Sequence, residues 1–263
     1  MRVFVAGISG NVGRAIARGI SARDGFELAG GWAKEAGEDI GLLAGIGALG
    51  ITVAPELAEG LSASAAELVI DFSVTPILKN NMRVYLDAGM NAVIGTTGLT
   101  DEQLAPFAEE VAERGLRWAV IPNYSLGVSL VKDFIEKASK YYPFVSIIDQ
   151  HTNEMANAPS GTAAALARAV SGRESGEVAS RESYPGVLGG NIDGTQILSQ
   201  RMPWPGPFSG HEITLARKDE FIKISVQGFT SDIYLDGIFL TAERLASFPA
   251  GTFIRSLSEV TGI

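Results

Sequence analysis

MRVFVAGISGNVGRAIARGI, residues 1–20, decides how this chain is read. Val3 to Ala6 is a short unbroken apolar run, as expected of a strand buried on both faces. Glycines follow at Gly7, Gly10 and Gly13, and beyond them Ile16, Ala17 and Ile20 recur at helical spacing. A strand, a glycine turn and a helix in that order let backbone N–H groups and a helix N-terminus approach a pyrophosphate. The spacing G-x-x-G-x-x-G departs from the commoner G-x-G-x-x-G, and an ordinary tight turn would also use glycine. Its place at the first strand–helix junction favours a dinucleotide.

Reading outward, further apolar runs lie at 26–33 (FELAGGWA), 67–73 (ELVIDFS), 91–98 (NAVIGTTG) and 117–127 (RWAVIPNYSLG). Helical stretches separate the later ones, at about 55–66, 76–89 and 101–114. Strand–helix alternation predicts α/β architecture, a Rossmann-type doubly wound parallel sheet with right-handed crossovers. After about Gly127 the pattern changes. VSLVKDFIEKASKYY reads as an amphipathic helix, VSIIDQHT as a strand, and a helix follows the Ala-Pro-Ser-Gly-Thr turn through about Val170. MPWPGPFSG (202–210) reads as loop. HEITLAR and FIKISVQGF alternate as half-exposed antiparallel strands do, and 233–247 reads as helix. The expected organisation is a dinucleotide-binding domain over 1–127 and a mixed α+β domain over 128–232.

Composition narrows the function. The chain has 263 residues, 46% apolar and 19% charged, with a net charge of −9 and no cysteine. That acidity argues against nucleic acid as partner. The missing cysteine excludes disulfides, a thiol nucleophile and thiolate metal ligation. No run is long enough to span a membrane and no signal peptide is visible, so a cytoplasmic protein is expected. The two histidines, His151 and His211, stand 60 residues apart without clustered partners, so no metal is expected.

In such a sheet the carboxyl ends of strands line the ligand crevice. Three ends carry polar or glycine-rich turns: Asp71-Phe72-Ser73, Gly95-Thr96-Thr97-Gly98 and Pro122-Asn123-Tyr124-Ser125. Together they suit a nicotinamide-ribose channel, although any one alone is ordinary turn chemistry. After the second strand comes Ala33, then Lys34. A lysine there suits a 2′-phosphate, and no carboxylate directly precedes it, which favours NADPH with NADH as the alternative. Glu35 is the competing determinant, and a merely solvated Lys34 the bland one.

GISGNVGR, VIDFSVTP, VIGTTGLT, PNYSLGVSL, NAPSGTAAALA and SGHEITLAR, in this order over nearly the whole chain, resemble the dihydrodipicolinate reductase family. The resemblance implies a dinucleotide domain rejoined by 233–263 and a substrate domain whose sheet builds a homotetramer. It implies that Gly7, Ile8, Ser9, Gly10, Asn11 and Val12 hold the pyrophosphate and Lys34 the 2′-phosphate. It places Phe72, Gly95, Thr96, Thr97, Pro122, Asn123 and Tyr124 along the cofactor. Ser160, Gly161 and Thr162 would hold a substrate carboxylate, and His151 would supply the proton.

The family motif is close to His-His-x-His-Lys-x-Asp-Ala-Pro-Ser-Gly-Thr. Counted back from the turn, its first histidine falls on His151, the second on Thr152, the third on Glu154, the lysine on Met155 and the aspartate on Asn157. An arginine common in the family falls near Ser231, and a basic residue at Asn11. Met155 carries neither proton nor charge. Glu154 adds a negative charge, costing about 4 kcal/mol against a second anion at about 4 Å and an effective dielectric near 20. A dicarboxylate should bind badly unless Arg201, Arg181 or Lys218 swings in. Met155 could mark an apolar substrate face, and Glu154 a partner for a substrate amine. His211, at the start of an edge-like strand, reads as structural or intersubunit, and Trp204 as lid or tetramer contact. The expected function is an NAD(P)H-dependent reductase of a small cyclic imine or conjugated C=N or C=C acceptor. Two alternatives stand beside it: the family's own lysine-pathway enzyme, and a non-catalytic NADP(H)-binding paralogue.

Overall fold

The computed structural model describes residues 1–155, 157–170, 180–203 and 208–262. It divides into two compact units, Met1–Ser125 with Tyr234–Gly262, and Leu126–Ile233. The first unit begins β1 (Arg2–Ala6), α1 (Asn11–Ser21), β2 (Glu27–Trp32), α2 (Ile40–Ala44), β3 (Val53–Ala54) and α3 (Leu57–Ser64). It continues β4 (Leu68–Asp71), α4 (Thr75–Asp87), β5 (Asn91–Ile94), α5 (Asp101–Glu113) and β6 (Trp118–Val120). The second unit holds α6 (Leu126–Ala138), β7 (Phe144–Thr152), α7 (Gly161–Ala169), β8 (Gly190–Ile192), β9 (Thr195–Met202), β10 (Ser209–Arg217) and β11 (Glu220–Gly228). The chain closes in the first unit with α8 (Leu235–Leu245), β12 (Phe253–Ile254) and α9 (Leu257–Thr261). No described helix is long and apolar enough to cross a membrane.

The first sheet is seven-stranded and parallel, in the order β12-β6-β5-β4-β1-β2-β3. Its central strands are apolar on both faces because helices cover both. Val3, Phe4, Val5 and Ala6 are all fully buried. On one face Phe4, Val69, Met82, Tyr85, Phe107 and Trp118 pack together. The strands at the ligand edge stop sooner than their apolar runs suggest. β5 ends at Ile94 rather than Gly98, the Gly95 N–H making a last bond to the Asp71 carbonyl before the chain leaves the sheet, and β6 ends at Val120.

The second sheet is mixed, in the order β11-β10-β7-β9-β8, with only β7 and β9 parallel. Its inner face packs against α6 and α7 through Val145, Ile147, Leu166, Ile197, Ile213 and Leu215. Two expectations are corrected. Met202, Ser209 and Gly210 lie in strands rather than loop. β10 lies between β11 and β7, so His211 sits in an interior strand, not an edge. Strand β9 was not foreseen, because a polar stretch precedes it and a proline-rich one follows. Trp204 lies outside the described residues.

Gly7 is where the opening turn needs glycine. Its φ is +80°, and a Cβ there would run into the Phe72 carbonyl. Gly7→Ala should cost about 1–3 kcal/mol, read as a lower Tm. A variant as stable as the wild type would show that this turn relaxes freely.

Candidate active site

In the first unit the expected cofactor residues gather along one edge. All strands of that sheet are parallel, so the turns after β1, β2, β4, β5 and β6 emerge on the same side. β1 feeds β2 on one flank and pairs with β4 on the other, a topological switch point of the kind that binds ligands. Gly7 and Ile8 donate their N–H groups to the Trp32 carbonyl at 2.8 and 3.3 Å, which clamps the glycine turn to the end of β2. Helix α1 begins with Gly10 as its N-cap, without a side-chain cap and with no acidic residue in its first turn. A Cβ at Gly13 would strike the Gly7 carbonyl, so helix and turn approach closely. An uncapped helix N-terminus beside a bare backbone turn fits a pyrophosphate. Arg14, one turn in, donates to Asn11 Oδ1 at 2.9 Å and adds a guanidinium near this end.

Lys34 projects from the β2 end, its side chain 87% exposed, with Nζ 3.6 Å from Glu35 Oε1. The Ser9 side chain holds the Glu35 carboxyl below its ordinary value. Not every expected contact group faces outward. Ile8 is fully buried, and the Tyr124 hydroxyl donates inward to the Ile94 and Ala119 carbonyls at 3.1 and 3.2 Å. Burial pushes that phenol well above its usual range. The Thr96 hydroxyl also turns inward, and Asn123 Oδ1 accepts from the Ser125 N–H. These side chains shape the edge. The Phe72 ring packs on Gly95, and its centroid lies 5.7 Å from that of Tyr124.

In the second unit the site is built around Asp149, which the sequence reading passed over. Side chains alternate along β7, so Val145, Ile147, Asp149 and His151 all face inward. Asp149 is fully buried. Its carboxylate accepts from the Ser160 N–H at 2.9 Å, the Ser160 hydroxyl at 2.7 Å, the Ser199 hydroxyl at 3.3 Å and Arg201 Nη2 at 2.9 Å. Burial alone would raise this carboxyl. The His151 ring, Ser160 and Arg201 outweigh it and hold the group well below the usual carboxylate range.

His151 is 3% exposed, and its Nδ1 donates to the Phe208 carbonyl at 2.9 Å. Its Nε2 lies 2.9 Å from Asp149 Oδ1 but off the line of a hydrogen bond. Strand register places His211 directly opposite Asp149. The histidines, distant in sequence, therefore meet edge-to-face at 5.7 Å. Asp149, His151 and His211 form a cluster of potential metal-ligating groups, yet Arg201 already supplies its positive charge. Ser160 caps α7 by accepting from the Ala163 N–H, and Gly161 and Thr162 open that helix. Glu154 and Met155 are exposed on the turn after β7. Of the candidate cations, Arg201 is committed: it also donates to the Asp149, Gln200 and Asn157 carbonyls. Lys218 follows the far end of β10. Seven residues separate it from His211, on the order of 20 Å along the strand.

Two family models match, described as dihydrodipicolinate reductase N-terminus over residues 1–124 and C-terminus over residues 127–260. The chain belongs to the dihydrodipicolinate reductase family. It is an NAD(P)H-dependent oxidoreductase of that type. It is 31% identical over 258 residues to the 4-hydroxy-tetrahydrodipicolinate reductase of Synechococcus elongatus, covering 92% of this chain and 93% of the relative. It is 29% identical over 249 residues to that of Moorella thermoacetica, covering 93% and 92%. Its fold matches a dipicolinate-bound dihydrodipicolinate reductase from Paenisporosarcina with a TM-score of 0.82, 23% identity and 98% of both chains covered. An amine dehydrogenase from Mycobacterium smegmatis shares the fold more distantly, with a TM-score of 0.66, 14% identity and 96% and 94% covered.

Two predictions follow from the Asp149 cluster. Asp149→Asn leaves a largely buried guanidinium, 18% exposed, without its carboxylate and should cost about 2–4 kcal/mol in denaturant unfolding; a loss under about 1 kcal/mol would show that the pair is dispensable. Burial pushes the His211 imidazole down to about 4 from 6.5, against the pull of Asp149 and with a push from His151. The native state thus binds this proton later than the unfolded chain does. Stability is full above about pH 6.5 and falls as pH drops toward 4, by about 3 kcal/mol at most. Tm measured across that window should fall in the wild type and stay flatter in His211→Leu; equal slopes would place the acid sensitivity elsewhere.

Proposed function

We propose that this protein is an NADPH-preferring reductase whose acceptor is a small cyclic imine, or related conjugated C=N or C=C compound, less anionic than 4-hydroxy-tetrahydrodipicolinate. One observation carries the reading. The exposed turn beside the Ala-Pro-Ser-Gly-Thr stretch presents Glu154 and Met155, and Arg201 is consumed by Asp149 and the Asn157 carbonyl. Among the described residues Arg201 is tied to Asp149 and Lys218 lies at the far end of β10, so of the three candidate cations only exposed Arg181 is left to meet a second substrate carboxylate. Gly161 and Thr162 hold one carboxylate at the start of α7; Ser160, whose N–H and hydroxyl are both given to Asp149, fixes that helix end rather than meeting the substrate, and Glu154 and Met155 border the remainder of the acceptor.

His151 is the proton donor in this reading. The Phe208 carbonyl accepts from Nδ1, so the proton to be passed on is carried by Nε2, which is buried 2.9 Å from Asp149 Oδ1 and must turn from that carboxylate to reach an acceptor. Gly7 to Val12 bind the pyrophosphate, exposed Lys34 meets the 2′-phosphate, and the turns at Phe72, Gly95–Thr97 and Pro122–Tyr124 border the nicotinamide. Bound nicotinamide dinucleotide supplies the hydride. The first unit serves as cofactor domain and the second as substrate domain. Homotetramer assembly through the second sheet's open face is part of the proposal. Phe144, Met202 and Phe221 lie exposed there at 42%, 49% and 64%, a surface that a second copy would cover.

A second reading is the family's own activity, favoured by the names of the curated relatives and by the dipicolinate bound to the Paenisporosarcina structure. Nicotinamide oxidation with 4-hydroxy-tetrahydrodipicolinate, formed in situ from pyruvate and aspartate semialdehyde, separates the two. The expected result is tight NADPH binding with poor turnover, and a gain of about tenfold or more in kcat/KM for Met155→Lys. Efficient wild-type turnover would establish the second reading instead. His151→Ala should lose turnover on any accepted substrate by about 100-fold while retaining cofactor affinity; an unchanged rate removes His151 from the chemistry.

A further inference from the structure

The first unit hides a second buried acid. Asp71 ends β4 and is fully buried, in a strand that otherwise reads Leu-Val-Ile. No ion pair joins it among the described residues. It is surrounded instead by five hydrogen-bond donors. Oδ1 accepts from the Ser73 N–H at 2.8 Å, the Ser73 hydroxyl at 2.7 Å and the Thr96 hydroxyl at 2.7 Å. Oδ2 accepts from the Tyr85 hydroxyl at 2.6 Å and Asn81 Nδ2 at 3.1 Å.

Those donors have distinct origins. Ser73 belongs to the turn after β4, Asn81 and Tyr85 to α4, and Thr96 to the turn after β5. One carboxyl group therefore ties two neighbouring strand-end turns to each other and to a helix. Two further contacts reinforce the tie. The Asp71 carbonyl accepts from the Gly95 N–H at 2.9 Å, and the Thr75 hydroxyl donates to the Thr97 carbonyl at 2.7 Å. Phe72 is held between the tied turns, its ring so close to Gly95 that a Cβ there would overlap it. A valine or isoleucine at position 71 would serve the core without the cost of burying an acid. What an apolar residue could not do is collect donors from both turns at once.

We infer that Asp71 is a positioning residue for the nicotinamide half of the cofactor, setting Phe72 and the Gly95–Thr97 turn while leaving the adenosine half untouched. The inference rests on the cofactor reading above. None of the five donors to Asp71 comes from the glycine turn or from the turn carrying Lys34; the glycine turn meets this segment through backbone alone, Gly7 lying against the Phe72 carbonyl, a contact that does not depend on the Asp71 side chain.

Two probes separate the halves. NADPH engages the whole edge, whereas adenosine 2′,5′-bisphosphate engages only the phosphate and adenosine end. Their dissociation constants are measured by fluorescence titration for the wild type, Asp71→Asn and Thr96→Val, with the thermal transition of each variant as a folding check. Thr96→Val is nearly isosteric and removes a single donor, so it decides the matter if Asp71→Asn does not fold. Both variants should weaken NADPH by about tenfold or more and leave the bisphosphate within about twofold. Lys34→Ala should weaken both probes alike, and Tyr85→Phe, which cuts a tie to helix α4 only, should weaken neither. Parallel loss of both probes in Thr96→Val, or no loss of NADPH, overturns the positioning role but not the cofactor reading. Failure of the wild type to bind either probe overturns both.

Discussion

A carboxylate sealed from water must collect its donors from the chain, and that demand organises the functional turns of both units. In the second unit Asp149 takes the Ser160 N–H and hydroxyl, the Ser199 hydroxyl and Arg201. The Ala-Pro-Ser-Gly-Thr turn is thus fixed onto β7 at the residue where α7 begins. His151 stands two residues along the same face, so the proposed proton donor and the proposed carboxylate-binding helix end share one support. In the first unit Asp71 takes its donors from two turns and a helix. Asp71 ends its strand and reaches adjacent turns, whereas Asp149 lies within β7 and draws on the start of α7 and on the neighbouring strand β9.

Arg201 illustrates how one acid settles the role of a distant residue. It could be read from sequence as a free cation for an anionic substrate. In the fold it completes the Asp149 cluster, and its guanidinium also holds the carbonyl of Asn157, just before the binding turn. A charge spent on the scaffold is not available to a ligand without exposing the buried partner it leaves. The exposed residues Glu154 and Met155 therefore weigh more heavily on substrate choice than they would beside an uncommitted arginine.

Much of the architecture was legible, for reasons that differ between the two units. Continuous apolar runs such as VFVA and LVI stand out because parallel strands are buried on both faces, and glycines mark the turn that opens α1. In the second unit the alternation of HEITLAR and FIKISVQGF identified β10 and β11. The short β3, β8 and β12 were missed because two or three residues carry no period, and β9 because its alternation lies in polar surroundings. Strand order was beyond reach as well, which is why His211 was assigned to an edge. Asp149 and Asp71 could have been found: each interrupts an apolar face, and a buried acid requires partners.

The sequence by itself determined the local chemistry: the glycine turn ahead of α1, Lys34 without a carboxylate before it, one histidine ahead of the Ala-Pro-Ser-Gly-Thr turn, and glutamate and methionine at positions 154 and 155. These are properties of residue type and short spacing, which survive without knowledge of the fold. Only the tertiary structure decided who meets whom. The β7–β10 register brought His211 to Asp149, the β7–β9 register brought Arg201 there, and the order β5-β4-β1 set Thr96 within reach of Asp71. Pairing across a sheet joins residues tens of positions apart through backbone hydrogen bonds that are indifferent to side-chain identity, so no local pattern records the meeting.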